Sequence, residues 1–269
     1  MNNNMKKMRE RNKIRNKSSQ ITIFVIVALV IIAGMIIYFI AKNPGEINIS
    51  PSDNPRGYID DCVSKALSNV EDSLIKNNGF FDLTGGYINY DNTRVPYYCF
   101  ASTELSLCTS KHSALSNEIK KEIYSELKPK VDKCFNDVKE QLKNYNYKEG
   151  SMNLSIEVTP KKIQIKIIKE ISYYKNEQKI SFNRFDNFIN SPLFEFIFLT
   201  NEIVNQELDC RCGEESCNAD MVKLSMDNRE FEITKPYYLN HDEIYSIKEV
   251  LSGKKINFAV RNCYREPST

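Results

Sequence analysis

The sequence has little of what common catalytic and metal-binding sites are built from. Its 269 residues include only two histidines, His112 and His241, and these do not form a His-x3-His or similar pair. A histidine metal centre therefore has no support. The Gly-x-Ser-x-Gly, His-Glu-x2-His, Walker and Rossmann patterns are also absent, as are internal repeats of 20–50 residues. We accordingly expect no cofactor and no motif-defined enzyme.

The near-zero net charge conceals an uneven distribution. The chain carries 37 basic and 35 acidic residues, for a net charge of +2. Seven of the basic residues and one acidic residue lie in residues 1–20, so this segment has a charge of +6 and residues 21–269 a charge of −4. Because the basic run directly precedes an apolar segment, the pattern excludes a simple soluble cytosolic protein and a nucleic-acid binder.

That apolar segment, residues 21–41, holds no charged residue. At 1.5 Å per residue it spans about 31 Å, close to the hydrocarbon thickness of a bilayer. The sequence therefore predicts a transmembrane helix, with the lipid bilayer as a partner. Because basic flanks stay in the cytoplasm, residues 1–20 are predicted to be a cytoplasmic stub and residues 42–269 to lie outside. The run exceeds the roughly 7–15 apolar residues of a cleaved signal, which favours an uncleaved signal-anchor.

The entry to this segment resembles the class III signal of archaeal type IV prepilin-like proteins. Residues 17–24 read Lys-Ser-Ser-Gln-Ile-Thr-Ile-Phe. In that family a peptidase cuts just before the glutamine, so the resemblance implies a processing site between Ser19 and Gln20. Phe24 stands where pilins usually carry a glutamate that takes part in filament assembly. A pilin-like subunit, or a minor component of a surface filament or secretion apparatus, is therefore an alternative function.

All eight cysteines follow the predicted membrane segment, and an even number outside the cytoplasm predicts up to four disulfides. Cys99 and Cys108 flank a short loop that a disulfide would close. Cys62 and Cys134 lie on two predicted helices that a disulfide would join. The remaining four form a late cluster of Cys210, Cys212, Cys217 and Cys263. This cluster would also supply four thiolates to zinc, but its spacing is not the paired Cys-x2-Cys of a zinc ribbon, and disulfides are favoured.

The rest of the chain predicts a linker and one α+β domain. Residues 42–56 hold three prolines and a glycine, which is typical of a linker. Residues 57–269 are expected to form an antiparallel sheet with packed helices, braced by disulfides. Periodicity predicts helices over residues 58–77, 113–145 with a kink or break at Pro129, 193–208, 216–226 and 240–251. Ser191-Pro192 marks the start of the third of these helices, and residues 240–243 have capping-box spacing at the start of the last, with Asn240 at the cap. Periodicity predicts strands over residues 87–88, 95–101, 152–158, 163–167, 170–174, 229–234 and 255–263. Apolar residues alternate in 152–158 and again in 163–167, which predicts that these two strands form a β-hairpin.

Two further features are local. The sequons Asn48-Ile-Ser50 and Asn153-Leu-Ser155 would be usable for glycosylation only outside the cytoplasm. Arg261, in the last predicted strand, is expected to be an ion-pair partner rather than a catalytic residue.

Taken in order, four motifs resemble a group of single-pass archaeal envelope proteins with a prepilin-like N-terminus. They are the Ser19–Phe24 anchor entry, the Gly57–Cys62 helix start with the later Gly85–Ile88, the Leu193–Val204 helix and Phe258–Asn262. The resemblance covers most of the chain and implies topology and fold only, because the group has no established activity. We expect a membrane-anchored, non-enzymatic binding or structural protein of the cell envelope, with an envelope or surface protein as partner. An extracytoplasmic enzyme with a scattered site is the remaining alternative.

Overall fold

The chain divides into two units, Met1–Asn48 and Ile49–Thr269. The computed structural model describes residues 25–35, 50–83, 85–103, 106–209, 222–226, 228–239 and 241–262. In the first unit, residues 25–35 form an α-helix, α1, in which every residue is exposed. The other residues of the predicted membrane segment lie outside the described part of the chain. Within that part, none of the helices combines the length and apolarity needed to cross a bilayer.

The second unit is an α+β fold, as predicted. Its described helices are α2 (Pro55–Lys76), α3 (Leu115–Leu142) and α4 (Leu193–Asp209), with a 3-10 turn at Lys143–Tyr145. The first strands are β1 (Tyr87–Tyr90), β2 (Thr93–Phe100), β3 (Thr109–Ser110), β4 (Lys148–Glu149), β5 (Asn153–Thr159) and β6 (Lys162–Lys175). They are followed by β7 (Gln178–Asn190), β8 (Val222–Met226), β9 (Arg229–Leu239), β10 (Asp242–Glu249) and β11 (Lys255–Arg261).

The larger sheet is mixed rather than antiparallel. Its order is β1-β2-β11-β10-β9-β8, and β3 also pairs with β2. β2 and β11 run parallel, with Arg261 opposite Phe100, whereas the other described pairs are antiparallel. The prediction of an antiparallel sheet is therefore wrong at this pair. Parallel pairing requires a long connection, and the helices and the smaller sheet between β2 and β11 in sequence provide it.

The smaller sheet is antiparallel and centred on β6. β6 pairs with β7 along one edge and with β5 and β4 along the other. The predicted hairpin is confirmed, since Thr159 of β5 lies opposite Lys162 of β6. The strand predicted over residues 170–174 is a continuation of β6 rather than a separate strand. β7 was not predicted from the sequence.

Two helices predicted late in the chain are wrong where the structure describes them. Residues 242–249 form β10, which pairs with both β9 and β11. The capping-box spacing after Asn240 favours a helix locally, but Ile244, Tyr245 and Ile247 are fully buried by the surrounding sheet. Tertiary packing overrides the local signal here. Residues 222–226, predicted as the end of a short helix, form β8.

The first two long helices are longer or more continuous than predicted. α2 begins at Pro55, inside the predicted linker, because the Asn54 side chain accepts a hydrogen bond from the Gly57 amide at 2.9 Å. α3 continues through Pro129. Leu127 and Val131 on either side of the proline are fully buried, so packing stabilises the helix on both sides of it.

Two disulfides brace the unit, which confirms the predicted bracing. Cys62 is bonded to Cys134 and joins α2 to α3. Cys99 is bonded to Cys108 and closes the loop between β2 and β3. The four cysteines of the late cluster, together with Ser19 and Gln20, lie outside the described residues.

α4 contacts β2, β10 and β11 of the larger sheet and β5 and β6 of the smaller one, so it packs between the two sheets.

Candidate functional site

A polar cleft opens where the parallel strands β2 and β11 both end. Its volume is about 270 Å³. It is lined by Phe100, Ala101, Ser102, Thr103, His241, Asp242, Arg261 and Asn262. Parallel strands bring their carboxyl ends to one edge of a sheet, which is where open sheets commonly bind ligands. Side chains from three separate segments converge here, and this convergence makes the cleft the candidate site.

Arg261 is held in one orientation by Asp242. Its Nε and Nη2 atoms donate to the two carboxylate oxygens at 2.6 Å each. The contact follows from sheet register, since Asp242 lies directly opposite Arg261 across β10 and β11. These hydrogen bonds raise the pKa of Arg261 further above its ordinary value. The guanidinium is therefore a fixed, permanent cation.

Tyr97 completes this cluster from β2. Its hydroxyl donates to Asp242 at 2.9 Å and accepts from Arg261 Nη2 at 3.1 Å. Burial raises the pKa of Tyr97, and the neighbouring Asp242 carboxylate raises it further. The phenol consequently stays protonated at neutral pH, and it serves as a hydrogen-bond donor rather than as a base.

Two aromatic rings of β2, those of Tyr97 and Phe100, support the Arg261 guanidinium. The Arg261 Cζ atom lies 5.3 Å from the Tyr97 ring centroid and 5.0 Å from that of Phe100. Lys111 Nζ lies 5.3 Å from the Phe100 centroid. All three distances fall within the range of cation–π attraction. Phe100, which lines the cleft, thus lies within cation–π distance of two cations, Arg261 in the cleft and Lys111 beside it.

Asn262 connects the cleft to the core behind it. Its side-chain amide donates to the Glu207 carbonyl at 2.9 Å, and its side-chain oxygen accepts from the Cys108 amide at 3.1 Å. Because Cys108 is bonded to Cys99, one residue joins the end of β11, helix α4 and the disulfide-closed loop. The wall of the cleft therefore depends on that disulfide.

A buried carboxylate network lies behind Asn262. Tyr245 donates to Glu207, and the Tyr245 oxygen lies 3.1 Å from Glu243, which accepts from Lys235 Nζ at 2.7 Å. Burial raises the pKa of Tyr245, and the charges of both glutamates raise it further. Both carboxylates are almost fully buried. They tie α4 to β9 and β10 and do not line the cleft, so their position indicates a structural role.

The structure brings only part of the sequence-predicted set to this site. Cys99 and Cys108 support its wall, whereas Cys62 and Cys134 join two helices. The expectation that Arg261 is an ion-pair partner is confirmed by its contact with Asp242.

Of the two histidines, only His241 lines the cleft. His112 instead stacks on Phe80 at 4.4 Å, with its Nδ1 2.6 Å from Glu118. The sequence does not identify Asp242 as a site residue, because the capping-box spacing of residues 240–243 predicts a helix. The sequence signal for a central strand that begins at Asp242 is the apolar set Ile244, Tyr245 and Ile247, all of which are buried in the structure.

Tyr97→Phe tests the hydrogen bonds at the centre of the cluster. The substitution removes one hydroxyl that bonds to Asp242 and Arg261, and we expect the free energy of unfolding to fall by about 1 kcal/mol. Tyr87→Phe on the adjacent strand is the matched control. Tyr87 is exposed, so its variant should stay within about 0.5 kcal/mol of the wild type. Urea unfolding measures both, and equal losses would contradict a role for the Tyr97 hydroxyl.

Comparison with known proteins finds no relative of this chain. No protein-family model, curated protein sequence or solved structure matches the chain.

Proposed function

We propose that the chain is a membrane-anchored, non-enzymatic binding or structural protein of the cell envelope, with its folded domain outside the cytoplasm. The observation that carries the proposal is α1. Its described residues include no polar side chain, and all are exposed, Leu29 by 60% and Val30 by 66%. A helix that is apolar on every side needs an apolar environment, and a bilayer provides one. The uncharged sequence continues on both sides of α1, over residues 21–41.

The disulfides support an extracytoplasmic location for the domain. Disulfides persist in oxidising compartments and are rare in reducing ones. Cys62–Cys134 and Cys99–Cys108 both belong to the unit that follows the apolar segment. The basic run in residues 1–20 favours the same orientation, because positively charged flanks stay in the cytoplasm.

The chemistry of the cleft supports binding rather than catalysis. Arg261, Asp242 and Tyr97 bond to one another, and the aromatic rings hold the guanidinium in place. Such an arrangement is preorganised and presents donors to a partner. Its titratable groups, however, are already hydrogen-bonded to one another. We infer that an envelope or surface protein with exposed acceptor groups is recognised at this edge of the sheet.

Membrane fractionation and protease treatment test the proposed topology. Wild-type chain should remain in the membrane pellet after alkaline carbonate, and protease added to intact cells should remove the C-terminal domain. Leu29→Arg with Ile32→Arg should release the chain from the pellet, because each central arginine costs about 2.5–3.5 kcal/mol on insertion. Leu29→Ile is the matched control and should stay in the pellet.

The same preparation separates anchoring from a filament role. An intact N-terminus supports the anchored binding protein, whereas a mature chain that begins at Gln20 supports the pilin-like alternative. Full protection of the domain in intact cells, or extraction of the wild type by carbonate, would contradict the proposal.

A further inference from the structure

The smaller sheet has a solvent-facing side formed by alternate residues of β5, β6 and β7, here called the outer face. Cross-strand register arranges these residues in rows. The rows are Asn153, Ile168 and Arg184; Ser155, Lys166 and Asp186; and Glu157, Gln164 and Phe188. A shallow cleft of about 340 Å³ lies on this face. Ile168 is 48% exposed and Phe188 63%, so the outer face carries uncovered apolar surface.

The sequon Asn153-Leu154-Ser155 lies at the corner of the outer face. Asn153 and Ser155 are exposed and Leu154 is buried, so strand alternation directs both functional side chains to solvent. Among the described residues β5 pairs with β6 alone, which places Asn153 on an edge strand. Residues 150–152 interrupt the edge between β4 and β5, so the chain is irregular just before the acceptor asparagine. The sequon is reachable by a modifying enzyme.

We propose that Asn153 carries an N-linked glycan. Modification requires the extracytoplasmic location proposed above, because Asn-x-Ser is an acceptor only there. The donor is an oligosaccharide linked through phosphate to a membrane lipid. A bond forms between Asn153 Nδ2 and the anomeric carbon of the first sugar, and the bond from that carbon to the phosphate oxygen breaks. The amide loses one proton, and the lipid phosphate leaves.

The position of Asn153 assigns the glycan a physical effect. Ile168 lies directly opposite Asn153, and cross-strand Cβ atoms are about 4.5–5.5 Å apart. The first sugar therefore covers the exposed Ile168 side chain. It also occupies the start of an edge strand, where an unprotected edge would invite pairing with another chain. The glycan shields both the apolar row and the edge.

Peptide mass spectrometry of full-length chain from its native cells tests the site. Trypsin releases residues 149–161, which contain no second sequon. In the wild type most of this peptide should carry sugar mass increments. Ser155→Ala keeps Asn153 but destroys the sequon, and we expect at least a tenfold loss of the modified peptide. Ser155→Thr retains the sequon and should remain modified, and the exposure of Ser155 makes unfolding by either substitution unexpected.

Each outcome separates this site from the proposed topology. An unmodified wild-type peptide in a chain whose domain is removed by external protease would overturn the Asn153 assignment alone. An unmodified peptide in a fully protected domain would overturn both. Sugar found at Asn48 but not at Asn153 would likewise overturn the assignment, while it would leave the outside location standing.

Discussion

Lys254→Met is expected to lower the free energy of unfolding by about 2–3 kcal/mol, although Lys254 is a partly exposed residue in the connection between β10 and β11. Its Nζ atom binds Glu71 and lies 2.9 Å from Asp72. The Glu71 side chain is only 1% exposed, and its other bond is from the Ser191 hydroxyl at 2.7 Å. Removal of Lys254 leaves a buried carboxylate without its cation, and such losses are large.

Two variants control this result. Lys255→Met changes the neighbouring exposed lysine, which has no ion pair among the described residues, and should stay within about 0.5 kcal/mol of the wild type. The double variant Glu71→Gln with Lys254→Met removes the buried charge together with its partner. It should recover more than half of the loss measured for Lys254→Met alone.

The loss at Lys254 should also depend on pH. Burial raises the pKa of Glu71 above its ordinary value, although the bonds from Lys254 and Ser191 oppose this. A raised folded-state pKa means that the contribution of Glu71 to stability is present at low pH and is lost as pH rises through that value. Without Lys254 the pKa rises further. The difference in the free energy of unfolding between Lys254→Met and wild type should therefore be largest near pH 7. It should shrink as the pH falls toward 4.5, the ordinary pKa of a glutamate. A pH-independent difference would contradict this account.

Removal of the Cys62–Cys134 disulfide should have the largest effect of all. The bond closes a loop with a sequence separation of 72, against 9 for Cys99–Cys108. Chain-entropy arithmetic gives a loss of about 4 kcal/mol for Cys62→Ala with Cys134→Ala, and about 2.5–3 kcal/mol for Cys99→Ala with Cys108→Ala. The longer loop costs more because its closure removes more freedom from the unfolded chain.

Urea unfolding of the full chain in detergent, without reductant, measures both losses. Wild-type protein unfolded with reductant is the control for packing, since it lacks the cross-links but keeps every sulfur atom. The matched variant replaces the four bonded cysteines by alanine and is also unfolded with reductant, so that bonds of the late cluster are absent from both samples; the four are Cys62, Cys99, Cys108 and Cys134. Agreement between this variant and the reduced wild type would assign the loss to the cross-links. An equal loss for the two disulfides, or a larger one for the short loop, would contradict the loop-length ranking.

Local signals in the sequence were enough for several elements. Ser191-Pro192 predicted the start of α4, and the Ser191 hydroxyl does accept the Leu193 amide at 3.1 Å. The alternation of apolar residues predicted the β5–β6 hairpin. In each case the residues that decide the structure are neighbours in the chain. Residues 242–249 are the opposite case, because their position between two other strands decided the outcome.

The candidate site could not be predicted as a whole. Its cluster combines Tyr97 from β2 with Asp242 from β10 and Arg261 from β11, and it exists only when these strands adopt the observed register. The contact of Glu71 with Lys254 depends on tertiary structure in the same way. No spacing rule joins residues so far apart in sequence. The sequence predicts that Arg261 takes part in an ion pair, but it does not identify Asp242 as the other residue of that pair.

The parallel pairing of β2 with β11 has a consequence for how the protein is made. β2 is among the first strands to be synthesised and β11 is the last described strand, so the larger sheet stays split until residue 261 has emerged. The smaller sheet, by contrast, is built from strands close together in sequence and can form early. Long-range pairing of this kind slows folding and leaves edges exposed in the meantime. A chain anchored by its N-terminus would complete this domain only after its last strand has crossed the membrane.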